Sequence, residues 1–208
     1  MELTKHMNKF YHFFTKLLCT LIIVGTFGYL APISDNNFNQ VVYAKKTKKS
    51  NKSKIPATVG WRWKSAKAFV YIDLNDNQDL ISATNDAINA WNNTGAFDFI
   101  KTENKKKANI VIKQVYSPNT NYAGYTIFHY YTKTGILYSA VTRLNIFYLQ
   151  NFSIYDYSRQ RVVNTVEHEL GHAIGLKHNN GKSVMYPVGS LYPIEPSDIS
   201  TVRKLYHK

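Results

Sequence analysis

The amino-acid sequence predicts one α+β domain, and three observations carry that reading. Short segments rich in β-branched and aromatic residues recur between residues 68 and 148, as strands do. Two longer segments, 79–92 and 163–174, repeat apolar residues at helical spacing. Turn signals separate these segments and no stretch repeats another. A length of 208 residues suits one domain once a targeting segment is set aside.

Residues 1–44 read as that targeting segment, a signal peptide. Lys5, Lys9 and Lys16 give a positive start, and residues 17–30 form a nearly unbroken apolar run without charge. A run of about 14 residues falls short of the ~20 that span a bilayer as a helix, and suits a signal-peptide core. Val42-Tyr43-Ala44 provides the spacing for cleavage before Lys45. The distance from the apolar run to Ala44 is long, so an earlier cut or an uncleaved anchor is the alternative. Once the signal is cleaved, no stable membrane span is expected. Cys19, the sole cysteine, lies in the apolar run, and Lys16-Leu17-Leu18 lacks the small residue expected ahead of a lipid-modified cysteine. The mature chain therefore offers no disulfide and no thiolate, so any tetrahedral metal site must use histidine and carboxylate. A domain without thiols is indifferent to redox conditions outside the cell. The expected destination is secreted or extracellular, with association to the cell envelope as a variant of it.

The net charge is +13. Six lysines crowd into residues 45–54, K-K-T-K-K-S-N-K-S-K, and residues 45–58 are expected to be a basic disordered linker. Such a run is drawn to anionic cell-surface polymers, while a soluble spacer without a partner explains it equally well. Charge and many tyrosines also suggest nucleic acid. The tyrosines mostly alternate within predicted strands, as packing residues would, so no nucleic-acid partner is expected.

The domain proper, residues 59–208, opens with a strand at 68–73, followed by the turn Asn75-Asp76-Asn77. Asp79 is the expected cap of a helix reaching residue 92, with Leu80, Ala83, Ala87, Ile88 and Trp91 on its buried side. Asn93-Thr94-Gly95 ends it. Residues 97–101 and 109–115 are two more strands, with Lys105, Lys106 and Lys107 in the loop between them. Residues 122–150 hold the aromatic half of the sheet. There Lys133-Thr134-Gly135 turns between two alternating segments, and 141–148 is expected to be the final strand. A short closing helix is expected at 197–206. The stretch from Asp73 to Asp79 spaces oxygen atoms somewhat like a calcium loop, yet lacks the glycine at its sixth place and the acid at its twelfth. A plain turn is expected there, and Ca2+ is unsupported.

Residues 168–178, H-E-L-G-H-A-I-G-L-K-H, constrain the chemistry most tightly. His168 and His172 stand one helical turn apart on the same face, so both imidazoles can reach one metal ion. Glu169 can lean over the same site and take a proton from water there. Gly175 can break the helix, because glycine enters left-handed geometry at little cost, and the reversal brings round His178. Three protein ligands leave a fourth position open, as in a catalytic zinc site. Chance is a poor rival. At about one in twenty per position, the five fixed places recur in a chain this long on the order of once in ten thousand. Val163, Val166, Leu170, Ala173 and Ile174 make the apolar stripe, which leaves His168, Glu169 and His172 off it and facing a cleft.

This pattern, followed shortly by a methionine turn, resembles the metzincin zinc proteases. Ser183-Val184-Met185-Tyr186-Pro187 is similar to the turn of matrixins. The likeness covers most of residues 66–207: Ala87-Ile88-Asn89-Ala90-Trp91 with Gly95-Ala96-Phe97, then 108–112, resembles the opening of small bacterial matrixin-like domains, and Ala123-Gly124-Tyr125-Thr126, Leu144-Asn145, Asp198-Ile199 and Leu205-Tyr206 resemble their later elements. The resemblance implies a metzincin (zincin-like) α+β fold. Its parts would be a twisted, mostly parallel sheet with an antiparallel edge strand, an active-site helix and a C-terminal helix. It implies a protein or peptide substrate extended along an edge strand above the metal by main-chain pairing. By position it makes His168, His172 and His178 the ligands of one catalytic Zn2+, Glu169 the general base and Met185 the hydrophobic floor, with Tyr186 and Pro187 in the supporting turn. In the astacin branch a tyrosine two places after the methionine reaches the zinc; Pro187 stands there, so no tyrosine ligand is expected. Animal matrixin precursors often block the zinc with a propeptide cysteine, a route excluded here because none follows Cys19. Many members carry a tyrosine where this chain has Gly189, which leaves side-chain preference open. Further structural zinc or calcium sites have no match; His129 and His207 are expected to be surface residues, and His6 and His12 fall in the leader.

The implied chemistry is hydrolysis of peptide bonds by zinc-activated water, with Glu169 taking a proton and passing it to the leaving amine. The rival from another class is a non-catalytic envelope protein, which would need no base beside three ligands.

Overall fold

The structure, a computed structural model, describes residues 37–43, 60–150 and 157–206. The apolar run of the leader, the lysine-rich linker, the loop before the zinc-motif helix and His207 lie outside the described residues. In chain order the elements are β1 (Asn37–Tyr43), β2 (Lys67–Asp73), α1 (Gln78–Asn93), β3 (Asp98–Lys101), β4 (Ile110–Val115), β5 (Gly124–Tyr131), β6 (Ile136–Asn145), the single turn α2 (Ile146–Leu149), α3 (Arg159–Ala173) and α4 (Pro196–Tyr206). The sheet order is β1-β5-β6-β4-β2-β3. β2, β3, β4 and β6 pair in parallel, and β5 runs antiparallel to β6. β1, from within the residues expected to be leader, adds antiparallel to the outer side of β5.

Period-two burial sets which face of the sheet meets the helices. Ala68 and Val70 of β2, Ile110 and Ile112 of β4, and Thr126 and Phe128 of β5 all point into the core. In β6, Leu137 and Ala140 are both buried although an odd number of positions separates them. A register shift beside Tyr138 explains this, because the extra residue moves later side chains to the other face. Leu80, Ala83, Ala87, Ile88 and Trp91 of α1 fill the same core, as expected. The indole Nε1 of Trp91 donates to the Glu167 carbonyl of α3 at 3.0 Å, so its burial leaves no orphaned donor.

Two expected boundaries move. The cap of α1 is Asn77, not Asp79: its Oδ1 accepts from the Leu80 amide at 3.2 Å, while Asp79 sits in the first turn, where a carboxylate suits the helix dipole. The last strand spans residues 136–145 rather than 141–148, because Asn145 caps α2 by accepting from the Phe147 amide at 3.3 Å. The same buried side chain exchanges hydrogen bonds with Ser117 at 3.0 and 2.9 Å, which pins the loop leading into β5. No helix of the described residues is long and apolar enough to cross a membrane.

Candidate active site

Helix α3 starts on Ser158, whose Oγ accepts from the Arg161 amide at 3.3 Å. It packs between α1 and the β5–β6 side of the sheet, and every side chain from Val162 to Ala173 is buried. Ile174 ends it and Gly175, at φ +99°, turns the chain back. A β-carbon at Gly175 would stand 2.5 Å from the Trp61 carbonyl oxygen, so both the dihedral and the space require glycine. The carbonyls left over at this buried helix end are satisfied from both ends of the domain. Trp63 Nε1 donates to Ala173 at 2.9 Å, and the Tyr206 hydroxyl donates to Ile174 at 2.8 Å.

The reversal delivers His178 beside the other two histidines. One ligand nitrogen from each of His168, His172 and His178 lies within 4.8 Å of the others, and the Nε2 atoms of His172 and His178 are 3.2 Å apart. Nitrogens sharing a tetrahedral zinc at ~2.0–2.1 Å stand about 3.3 Å from each other, so the His172–His178 pair already has the required spread and His168 lies within reach of it. Two tautomers follow from the partners. His168 Nδ1 lies 2.7 Å from the Val184 carbonyl and His172 Nδ1 lies 2.9 Å from the Leu176 carbonyl. A carbonyl only accepts, so each Nδ1 carries the proton and each Nε2 presents its lone pair to the centre. Burial is the main cause that pushes all three imidazoles down: His168 to about 3, His178 to about 4 and His172 well below the ordinary histidine value. Neutral imidazoles are what a metal requires.

Glu169 stands beside the triad. Its Oε2 accepts from the Thr126 hydroxyl of β5 at 2.8 Å, while its Oε1 has no partner; His168 Nε2 is equally unpartnered. Burial raises its pKa to about 8, against the lowering effect of Thr126. A positive charge at the focus of the triad opposes that rise. β5 crosses closely here, because a β-carbon on Gly124 would lie 2.9 Å from Glu169 Cγ. The expected cleft-facing side of the helix is thus enclosed: His168, Glu169 and His172 are at most 1 % exposed, since β5 and the methionine turn close over them.

Met185 packs against α3. A side chain at Gly171 would collide with Met185 Sδ, so the sulfur packs on α3 between the first two histidines. Tyr186 and Pro187 follow half-buried, with the Tyr186 ring edge-on to Tyr192 at 5.6 Å between centroids. The turn is held from α4. Asp198 accepts from Ser183 Oγ at 2.5 Å and from the Val184 and Glu195 amides at 2.9 and 3.0 Å. Since Val184 supplies the carbonyl that orients His168, Asp198 acts on that ring at one remove. Gly124, Thr126 and Asp198 appeared in the sequence only as parts of strands and a helix, without roles. The one local signal missed was Gly171, a glycine inside a helix, which marks a close approach.

The sequence model of the matrixin family matches residues 62–207. The chain belongs to the matrixin family. As a matrixin it is a zinc metalloendopeptidase acting on proteins or peptides, and the observed α+β sheet with its antiparallel strand is the fold expected of one. Comparison with curated proteins gives no match. Among the described residues of this matrixin domain, the three histidines are the group of histidine, cysteine and carboxylate side chains that could hold a metal, and their all-nitrogen donor set and the unpartnered Nε2 of His168 fit zinc. In the loop that spaced oxygens like a calcium site, the Asp73 carboxylate pairs with Lys105 at 2.7 Å and Lys113 at 3.5 Å.

Proposed function

We propose that His168, His172 and His178 hold one zinc, and that Glu169 is the general base in hydrolysis of an extended peptide. The observation that supports this best is the pair of Nδ1-to-carbonyl hydrogen bonds, which aim two Nε2 lone pairs at the point His178 also reaches, next to the unpartnered Glu169 Oε1. Zinc, when bound there, supplies the Lewis acidity that polarises a carbonyl and brings the pKa of a water toward ~7. Glu169 takes the proton from the attacking water and returns it to the leaving amine. Thr126 holds the other carboxylate oxygen and so fixes which one faces the reaction. Met185, in its turn with Tyr186 and Pro187, is a floor for the histidines and not a ligand.

The wider reading places this domain, residues 59–208, outside the cell, behind a signal peptide of residues 1–44 and a basic linker of residues 45–58 that binds anionic surface polymers. Glu169→Ala should keep stoichiometric zinc by elemental analysis and lose about 10²–10⁴-fold in peptide hydrolysis, the usual share of a general base. His172→Ala should lose both. Wild-type cleavage by Glu169→Ala would defeat the assignment.

A further inference from the structure

Beyond the active site, the outer side of β5 is already taken. Asn37–Tyr43 pairs antiparallel with it in unbroken register, from Asn37 opposite Tyr131 to Tyr43 opposite Tyr125. The next residue of β5 is Gly124, packed against Glu169, and Thr126 in the same strand donates to the Glu169 carboxylate. β5 is therefore the strand whose beginning borders the base. Without β1 it would be the edge of the sheet, with a row of free amides and carbonyls. A peptide that needs main-chain partners while its bond lies at Glu169 has that edge to pair with.

We propose that β1 is an internal competitor for peptide substrate: the segment Asn37–Tyr43 occupies the pairing edge of β5 and keeps the chain latent until it is released. The inference rests on the peptidase reading of the site. Its sequence suits the role, since N-F-N-Q-V-V-Y has no charge to resist pairing and ends in residues that favour strands. Tethering makes the competition intramolecular, at an effective concentration of order millimolar. This latency needs no cysteine. Cleavage after Ala44, where the leader pattern ends, removes all of β1 at once, so loss of the leader and opening of the site become one event.

The test compares zinc-loaded full chains with and without Val41→Pro together with Val42→Pro. Neighbouring strand amides point to opposite sides, so one of the two prolines must remove an amide facing β5. With a fluorogenic peptide as substrate, the variant should show a lower apparent KM and about tenfold higher kcat/KM at similar kcat. Amide exchange should show protection lost on the β1 side of β5. A specific protease site inserted between Ala44 and Lys45 makes the same comparison on one folded preparation, before and after the cut. Equal kinetics in the paired samples overturn the proposal and leave the peptidase reading standing. So do β5 amides that exchange equally fast in the wild-type chain. No hydrolysis by any sample, with protection lost in the variant, instead defeats the peptidase reading and the proposal with it.

Discussion

The three imidazoles and two neighbouring carboxylates set how the metal-free chain responds to pH. His168 and His178 have folded values of about 3 and about 4, and His172 also lies well below 6.5, chiefly through burial. A depressed histidine stabilises the fold fully above its unfolded value of 6.5 and loses that contribution as pH falls. Glu169 and its neighbour Glu167 act in the opposite sense: burial raises them to about 8 and about 7, so their contribution is complete below 4.5 and declines as pH rises toward those values. Between 4.5 and 6.5 three histidines outweigh two carboxylates and stability climbs with pH; above 6.5 only the carboxylates titrate and it falls. Thermal melts of the chelated chain from about pH 5 to about pH 8 should therefore peak near 6.5. Zinc should raise the melting temperature at neutral pH and lose that gain in acid, where protons compete for the same nitrogens. A melting temperature that climbs steadily to pH 8 without metal would contradict this account. The three candidate ligands were legible in the sequence because their spacing is local, within one helix and one turn. Thr126 and Gly124 were not, because a strand pattern does not say which of its residues meets a carboxylate on a distant helix.

At the scale of elements, α3 supplies His168 and His172 and the turn after it supplies His178, but neighbouring segments orient the helical pair. The methionine turn reaches His168 through the Val184 carbonyl, and α4 holds that turn through Asp198. Asp198→Ala removes an acceptor from a buried hydroxyl and two amides. It should lower the melting temperature, at a cost of about 1–3 kcal/mol, and weaken zinc binding by about 10–100-fold, as loss of a ligand's supporting partner does. Unchanged zinc affinity in a competition with a chelator would show that the turn orients His168 without help from α4. Strand and helix positions were legible from apolar period and turn residues. The two displaced boundaries share one cause: Asn77 and Asn145 are polar caps with several partners each, and apolar spacing carries no record of them.

For the whole molecule, charge and order of synthesis matter more than any single contact. The lysine run at 45–54 should be dispensable for hydrolysis of a small peptide and should promote retention on anionic vesicles or wall fragments at low salt. Screening over ~8 Å at physiological ionic strength should weaken that retention. Chains beginning at Lys45 and at Lys54, compared across a salt series, decide it; equal binding would make the run a spacer. The closure of α3 has a consequence of another kind. The hydroxyl of Tyr206 that completes the helix end, and the carboxylate of Asp198 that steadies the turn, both follow His178 in the chain. A nascent polypeptide, threaded out residue by residue, exposes all three imidazoles before either group has emerged. On the proposed reading, the three-histidine site should mature only after α4 has emerged, and a half-made chain should lack peptidase activity. A chain stopped before Pro196 should bind zinc no more tightly than an unfolded peptide with the same histidines.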